Sequence, residues 1–348
     1  MPKAALHFRG VIDLFHWRPV MMKVLFLGLL SLVLVLPGAV FAEEAILLRF
    51  APEVGDEYDA ALLTTLRIEI TEEGKKEEIY STIGLGYNLR FTAIEADGIG
   101  TGVLSCHMLK MFMSGQFLGT IYYDSTDPFM YIPREVQVPA MLLGEEVTIK
   151  TDSKLNIIEC ELEAVAERIL QRWSSLREHT GEEETAAPSS ADRAMVKAQI
   201  EKVLAELCKN TNPDRYYPER PVKVGDSWAT NIQKENNGLV MQLAIVSTLV
   251  ERTDGIAVIK EEGSVTLDGF VVPEAVDSME LETAEYYGIV RIREDNGFPV
   301  AQESKLRLAW IFQTNDGPIY VNFEVDVAEK SSGPEGETRS KATMGPGN

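Results

Sequence analysis

Apolar and polar residues alternate with a period of two along most of the chain from residue 43 onward. Residues 66–71 read Leu-Arg-Ile-Glu-Ile-Thr and residues 321–327 read Val-Asn-Phe-Glu-Val-Asp-Val, so the apolar side chains of each run share one face. This pattern is typical of half-buried strands in an antiparallel sheet. Similar runs predict further strands at 80–96, 102–113, 117–123, 146–158, 227–235, 239–251, 256–267, 280–293 and 300–312. The pattern therefore predicts a mainly β protein of the α+β kind.

One stretch changes to a helical period. Leu162, Val165, Ile169 and Trp173 are spaced as on one helix face, and a second run of this kind extends from 195 to 207. The polar Gly/Pro/Ser linker between them predicts a solvated loop. We therefore predict a helical hairpin with an acidic linker at 159–210, between β module one at 43–158 and β module two at 211–330. The segment 331–348 is rich in Gly and Ser and is predicted to be a disordered tail.

The two β modules repeat each other's turn residues. Val-Gly-Asp-Glu-Tyr at 54–58 returns as Val-Gly-Asp-Ser-Trp at 224–228. Two more pairs follow in the same order, 94–99 with 250–256 and 147–157 with 290–300. The shared order favours a duplication, whereas the turn residues common to all hairpins are the alternative explanation. We predict two duplicated modules of curved antiparallel sheet with the helical hairpin inserted between them.

These motifs resemble those of an uncharacterised family of secreted bacterial β-rich proteins of unknown function. The resemblance covers nearly the whole chain after residue 42 and depends on the two Gly-Asp-x-aromatic turns, on Tyr-Asp-Ser at 123–125 and on Pro-Val-Lys at 221–223. It implies export and a β-rich fold, and it implies no functional residues. Asp-Asn-Gly-Phe-Pro-Val at 295–300 is also similar to a turn of the periplasmic lipoprotein carriers. That second resemblance implies a curved half-barrel that wraps helices and holds acyl chains.

The N-terminus has the order of a secretory signal. Lys23 precedes an uncharged apolar run at 24–36, then Pro37-Gly38, and small residues end at Ala42. We interpret residues 1–42 as a pre-leader plus signal peptide and expect a periplasmic or secreted location. The alternative is an uncleaved anchor, because 24–42 is just long enough to span a bilayer. In that case this segment is the only predicted contact with a membrane.

The charge balance excludes one class of partner. The 348 residues include 33 Lys+Arg against 54 Asp+Glu, which gives a net charge of −21. A nucleic-acid binder needs a basic face to displace counterions from phosphates, so we expect no nucleic-acid partner. An acidic surface could instead bind a basic protein partner, whose identity the sequence leaves unknown.

Candidate catalytic and metal-binding groups are few. After residue 42 the chain has only His107 and His179, and it has no Gly-x-Ser-x-Gly elbow. Cys106, Cys160 and Cys208 are too widely spaced for a zinc motif. We therefore expect no enzyme, no metal and no cofactor, and a hydrolase that uses His107 is kept as an alternative.

A disulfide is expected between Cys160 and Cys208. Cys160 opens the first predicted helix and Cys208 closes the second, and an antiparallel hairpin brings these ends together. Export would place both thiols in an oxidising compartment. Cys106 would then be left as a buried thiol.

An apolar cleft between the sheet and the helices is the expected binding site. Met108, Met111, Phe112 and Met113 lie in one predicted strand and would suit an adaptable lining, although ordinary core packing explains them as well. The leading hypothesis is a non-catalytic exported protein that binds an apolar ligand, such as an acyl chain or lipid. An envelope scaffold or interaction module with an acidic surface is the alternative.

Overall fold

A computed structural model describes residues 44–116, 119–133, 136–179, 194, 197–198, 213–236, 239–269 and 276–334. The predicted signal segment, Cys208 and most of the second predicted helix lie outside these residues. The described part contains one long helix and two helical turns besides its strands, and the second turn is a 3-10 turn at Pro213–Tyr216. Their bounds are β1 Glu57–Glu72, β2 Lys75–Ile94, β3 Gly100–Gly115, β4 Gly119–Asp124, α1 Gln137–Ala140, β5 Glu146–Thr151, β6 Ile157–Cys160, α2 Leu162–His179, β7 Ser227–Asn236, β8 Leu239–Thr253, β9 Ile256–Gly269, β10 Val276–Arg293, β11 Pro299–Thr314 and β12 Gly317–Ser332.

All twelve strands of the described residues belong to one antiparallel sheet, which confirms the predicted mainly β class. The strand order is β6-β5-β3-β2-β1-β12-β11-β10-β9-β8-β7, and β4 pairs with β3 at one side of this path. Each half of the chain forms a meander, and the first strand of one half pairs with the last strand of the other. This β1–β12 pairing runs from Asp59 opposite Ser332 to Glu72 opposite Ile319. The two modules therefore share a single sheet.

The duplication is visible in the turns that open β1 and β7. Gly55 and Gly225 have φ angles of +93° and +91°, a left-handed conformation that glycine adopts without a steric penalty. Gly55 donates its N–H to the Phe91 carbonyl at 2.9 Å, and Gly225 donates to the Leu249 carbonyl at 2.7 Å. The two halves thus fold the repeated Val-Gly-Asp sequence in the same way.

The strand pairing repeats as well. In module one the register between β2 and β3 shifts between Phe91 and Ala93. In module two the register between β8 and β9 shifts between Leu249 and Glu251. Each irregularity immediately follows the residue that accepts the glycine hydrogen bond, as expected if one ancestral hairpin gave rise to both.

Two sequence-based boundaries need correction. The strand expected at 146–158 is split into β5 and β6 by a turn in which the Asp152 carboxylate accepts the N–H groups of Lys154 at 2.8 Å and Asn156 at 3.0 Å. These hydrogen bonds within the turn compete with continued strand pairing. At the other end of the chain, β12 continues to Ser332 and so includes the first two residues assigned to the tail. The module boundaries themselves stay predictions.

The sheet curves around α2 and two connecting segments. The hydrophobic cluster at this place, here called the base cluster, combines Val165 and Ile169 of α2 with Ile149 of β5 and Ile259 of β9. Since β5 and β9 lie towards opposite ends of the strand order, their side chains can share one core only if the sheet bends. Segments 44–50 and 213–222 complete the base cluster and are linked by a bridge between Ile46 and Val222.

Helix α2 is also held by charge. Glu145, whose side chain is only 5% exposed, accepts hydrogen bonds from Arg168 at 3.0 Å and from Arg172. Both arginines lie on α2, one turn apart, so a single buried carboxylate ties the helix to the start of β5. This arrangement positions the helix on the inner face of the sheet.

Candidate functional site

The inner face of the sheet continues beyond the base cluster as a second apolar region, here called the distal zone. Alternate residues of β1, β9, β10, β11 and β12 point to this face because a strand sends successive side chains to opposite sides. Its buried members are Ile68, Ile70, Val265, Met279, Leu281, Leu308, Trp310, Phe312 and Val321. The described side chains of helix α2 contribute to the base cluster and not to this zone. The inner face therefore carries hydrocarbon well beyond the described helix.

A row of polar side chains separates the base cluster from the distal zone. We call it the polar belt, and its members are Tyr87, Arg215, Tyr216, Ser247, Glu261, Tyr286, Ser304 and Glu329. Ser247, Glu261 and Ser304 follow one another across the strands, with Gly288 between the last two. The belt is thus built by the sheet register, and one segment outside the sheet, 213–216, adds Arg215 and Tyr216.

Glu261 is the centre of the belt. Its side chain is fully buried, and it forms an ion pair with Arg215 at 3.0 Å, where the Arg215 side chain is 13% exposed. Tyr286 donates its hydroxyl hydrogen to the second carboxylate oxygen, Oε2, at 2.7 Å. A buried carboxylate needs partners of this kind, because an isolated charge is strongly disfavoured away from water.

Gly288 provides the space for this carboxylate. A Cβ atom at position 288 would lie 2.8 Å from Oε2 of Glu261 and 3.1 Å from the Tyr286 hydroxyl. Any side chain there would displace one of the two hydrogen-bonded groups. The glycine on β10 is therefore part of how the fold admits a charge to the inner face.

The backbone of Arg215 is fixed as firmly as its side chain. Its carbonyl accepts hydrogen bonds from Trp228 Nε1 at 2.7 Å and from Ser247 Oγ at 3.0 Å. Trp228 is the aromatic residue of the second Gly-Asp turn motif, so the repeated turn also anchors the segment that carries Arg215. The guanidinium is thereby aimed at Glu261.

The belt contains one further carboxyl group, Glu329, whose pKa is perturbed by burial. Loss of water raises the pKa of Glu329, and this outweighs the hydrogen bond that it accepts from Tyr87 and the charge of Arg215. Burial likewise raises the pKa values of Tyr87 and Tyr216. The belt thus combines one tightly paired carboxylate, Glu261, with a second carboxyl group whose pKa is raised by burial.

The four residues proposed as a lining do not share a face. Met111 is buried and Met113 half-buried on the inner side, in a small cluster with Leu109, Tyr123 and Val136 that we call the edge cluster. Phe112 lies between them on the outer face, where its ring is 6.0 Å from that of Tyr80. Met108 also faces outward, opposite Gly86. A period of two sends neighbours to opposite faces, so the four cannot line one cleft; a ligand-lining role stays a prediction for Met111 and Met113.

The other sequence-predicted residues are placed as follows. His107 lies over Gly86, where an added Cβ would be 2.7 Å from His107 Nε2. Within the described residues no hydrogen bond joins His107 to a serine or a carboxylate.

Cys160 ends β6 and packs against the base cluster. Cys208 lies outside the described residues, so the disulfide stays a prediction. Cys106 is half-buried, and burial raises the pKa of its thiol.

Two surface depressions accompany these features. One, of about 570 Å³, lies at the turns near Asp254 and Asp295. The other, of about 430 Å³, is a shallow groove that includes Leu63, Tyr287 and Ile289, which are exposed on the outer face. Neither is lined by residues of the distal zone.

In the described part of the chain no group of His, Cys, Asp and Glu is suited to hold a metal ion. None of the helices in that part has the length and apolarity to cross a membrane.

The polar belt is the feature that sequence reasoning missed, although one signal was present. The inner positions of β9 read Ala257, Ile259, Glu261, Gly263 and Val265. A glutamate at an inward position of an otherwise apolar alternation indicates a buried charge with a partner. The partner, Arg215, is distant in sequence, and no local pattern points to it.

Comparison with known proteins supports the resemblance to an uncharacterised β-rich family. Residues 137–287 match a family model described as a family of unknown function, DUF6263. None of the curated proteins matches the sequence.

Solved structures show distant likenesses. Lipovitellin, in a structure titled for its lipid–protein interactions, is 9% identical with a TM-score of 0.41, over 80% of this chain and 26% of that chain. This chain thus spans about a quarter of lipovitellin. The outer membrane protein OprG from Pseudomonas aeruginosa is 6% identical with a TM-score of 0.17, over 82% and 98%. A DUF1329 family protein from Desulfovibrio piger is 10% identical with a TM-score of 0.11, over 78% and 84%. Scores of this size do not establish a shared function.

Proposed function

We propose that this protein is a non-catalytic, exported binding protein that holds an amphipathic ligand with a long apolar part, such as an acyl chain or a lipid, on the inner face of its sheet. The observation that carries the proposal is the order of zones on that face. Hydrocarbon of the distal zone lies directly beside a polar belt that contains the Arg215–Glu261 ion pair. An amphipathic molecule matches this order, with its chain on the distal zone and its polar end at the belt.

The dimensions of the distal zone support an elongated ligand. On β11 alone the inner positions from Leu306 to Phe312 are apolar, which at the usual strand rise corresponds to about 20 Å of continuous hydrocarbon. Trp310, Phe312 and Met279 add large or flexible side chains. Such side chains can adapt to chains of different length.

Two further observations support the non-catalytic and exported parts of the proposal. Within the belt, Glu261 is already engaged by Arg215 and Tyr286, which favours a structural or recognition role over proton transfer. The order of Lys23, the apolar run at 24–36 and the small residues that end at Ala42 supports export.

The test is to identify what the protein carries. The chain can be expressed with its predicted leader, residues 1–42, purified from the cell envelope and extracted with organic solvent. Mass spectrometry of the extract should show a lipid or fatty acid in near-stoichiometric amount. The purified and delipidated protein should also bind a fluorescent fatty acid saturably.

A matched pair of variants tests whether the ligand binds on the inner face. Phe312 is buried on that face, and Ile311 is its neighbour on the outer face of β11. Phe312→Gln should weaken binding of the fluorescent fatty acid at least tenfold, whereas Ile311→Gln should leave it unchanged. Far-UV circular dichroism verifies that both variants fold, and Phe312→Leu replaces Phe312→Gln if that variant does not. An empty extract together with no saturable binding would overturn the proposal and favour the scaffold alternative.

A further inference from the structure

The loop between β4 and α1 exposes an unusual set of side chains. Residues 128–133 read Pro-Phe-Met-Tyr-Ile-Pro and contain no charge. Phe129 is 95% exposed, Tyr131 78% and Ile132 40%, and Tyr122 on the preceding strand is 52% exposed. Single exposed apolar residues are ordinary on protein surfaces, but two almost free aromatic rings at one loop tip are not.

The loop holds these rings outward with a defined backbone. Met130 packs inward against the edge cluster, so its neighbours at 129 and 131 face away from the protein. The Asp127 carboxylate accepts the N–H of Phe129 at 2.9 Å, and the Asp127 carbonyl accepts the N–H of Met130 at 3.2 Å. The exposure of the rings is therefore imposed by the fold of the loop.

The size and shape of this tip favour a bilayer over a protein partner. Four partly exposed side chains supply at most a few hundred Å² of apolar surface, and a stable protein interface needs roughly 800 Å² from each partner. A bilayer interface needs no matching pocket, and it favours aromatic side chains at headgroup level. Of the described charges near the loop, Lys110 and Asp124 neutralise each other across 2.8 Å, and the carboxylate of Asp127 accepts the N–H of Phe129.

We propose that Phe129, Tyr131 and Ile132 insert into the interface of a lipid bilayer with neutral headgroups, and so dock the protein on a membrane surface. Neutral headgroups are preferred because the chain carries a net charge of −21, which anionic lipids would repel. The proposal concerns a second site and does not depend on the ligand proposed for the inner face.

Vesicle flotation tests the docking. The chain without residues 1–42 is mixed with phosphatidylcholine vesicles and centrifuged through a density gradient, so that the leader cannot contribute. The unmodified chain should float with the vesicles, and the double variant Phe129→Ser/Tyr131→Ser should lose at least tenfold in its partition coefficient. Leu63→Ser/Tyr287→Ser is the matched control, because both of these side chains are 47% exposed on the outer face, and it should float like the unmodified chain.

Four results would overturn the proposal. The first is an unmodified chain that stays with the soluble fraction, and the second is a control pair that loses as much binding as the loop pair. The third is a loop pair that changes the oligomeric state measured by light scattering and leaves flotation unchanged, which would assign the loop to a protein contact. Binding that requires anionic lipid and disappears at high salt would also contradict insertion into neutral lipid.

Discussion

At the scale of single residues, the Arg215–Glu261 pair lies where a charge is hardest to keep. The Glu261 side chain has no exposed surface, and the Arg215 side chain is 13% exposed. Moving two charges out of water costs several kcal/mol each, and their attraction offsets this only with good geometry and further hydrogen bonds. Tyr286 supplies such a bond to Glu261. The intact pair is therefore tolerated, but removal of one partner alone leaves a buried unpaired charge and destabilises the fold.

We predict that Glu261→Gln lowers the free energy of unfolding by about 3–5 kcal/mol, because Arg215 then keeps its buried charge without the carboxylate that it contacts. Urea unfolding followed by circular dichroism measures the change. Glu262→Gln is the control on the adjacent, outward position, where an exposed pair joins Lys260 and Glu262 at 2.7 Å. There the expected loss is below about 1 kcal/mol. Equal losses in the two variants would contradict a buried, mutually dependent pair.

At the scale of elements, the two Gly-Asp turns require glycine because of its backbone conformation and not because a side chain would clash. Around both Gly55 and Gly225 an added Cβ would meet no atom within 4 Å. A substitution therefore creates no clash, and only the positive φ angle opposes it. Since the two φ angles differ by only 2° (+93° and +91°), the two turns should respond alike.

We predict that Gly55→Ala and Gly225→Ala each lower the free energy of unfolding by about 1–2 kcal/mol, which is the cost of a left-handed conformation for a residue with a side chain. Gly84→Ala is the control, because Gly84 lies inside β2 and its added Cβ would make only an ordinary contact of 3.6 Å with Lys110. Gly84→Ala should leave the free energy of unfolding unchanged. The urea midpoints of the three variants measure these losses of stability. A difference of more than about 1 kcal/mol between the losses of Gly55→Ala and Gly225→Ala would contradict the equivalence of the two turns.

The strands and the helix of this fold could be predicted from the sequence wherever a run of neighbouring residues has a regular apolar period. The period of two located β1, β2 and β12 and indicated which side chains face inward, and the helical spacing of Val165 and Ile169 located α2. Prediction was wrong where local hydrogen bonds interrupt a periodic run, as the Asp152 turn does between β5 and β6. It also assigned Met108 and Phe112 to one lining with Met111, although neighbours in a strand lie on opposite faces.

At the scale of the whole molecule, the contacts that create the candidate site are non-local. Alternation shows which residues face inward, but it does not show that the first strand pairs with the last. The polar belt depends on that closure and on the segment 213–216, which brings Arg215 to Glu261 across 46 positions of sequence. Sequence patterns of a dozen residues contain no information on such pairs. The alternation predicts an apolar inner face, and the inward position of Glu261 indicates a buried charge, but neither identifies Arg215 as its partner.

The shared sheet has a consequence for how the duplicated halves unfold. Repeated modules can unfold independently when each has its own core. Here β1 and β12 pair from Asp59 to Glu72, which is most of their length, and the base cluster mixes Ile149 of module one with Ile259 and Val290 of module two. Neither module can lose its strands without exposing apolar side chains of the other, so we expect a single cooperative unit.

We therefore predict that β2 and β9, which lie in different modules, open at the same free energy. Hydrogen exchange with mass spectrometry at increasing urea measures this, because amides that exchange only by global unfolding converge on one value. The short strand β4 is the internal control. Within the described residues it lies off the main strand path and pairs with β3 alone, so its amides should exchange earlier by local opening. Separate plateaus for β2 and β9 would show that the modules unfold independently, and the base cluster would then stabilise each half without coupling the two.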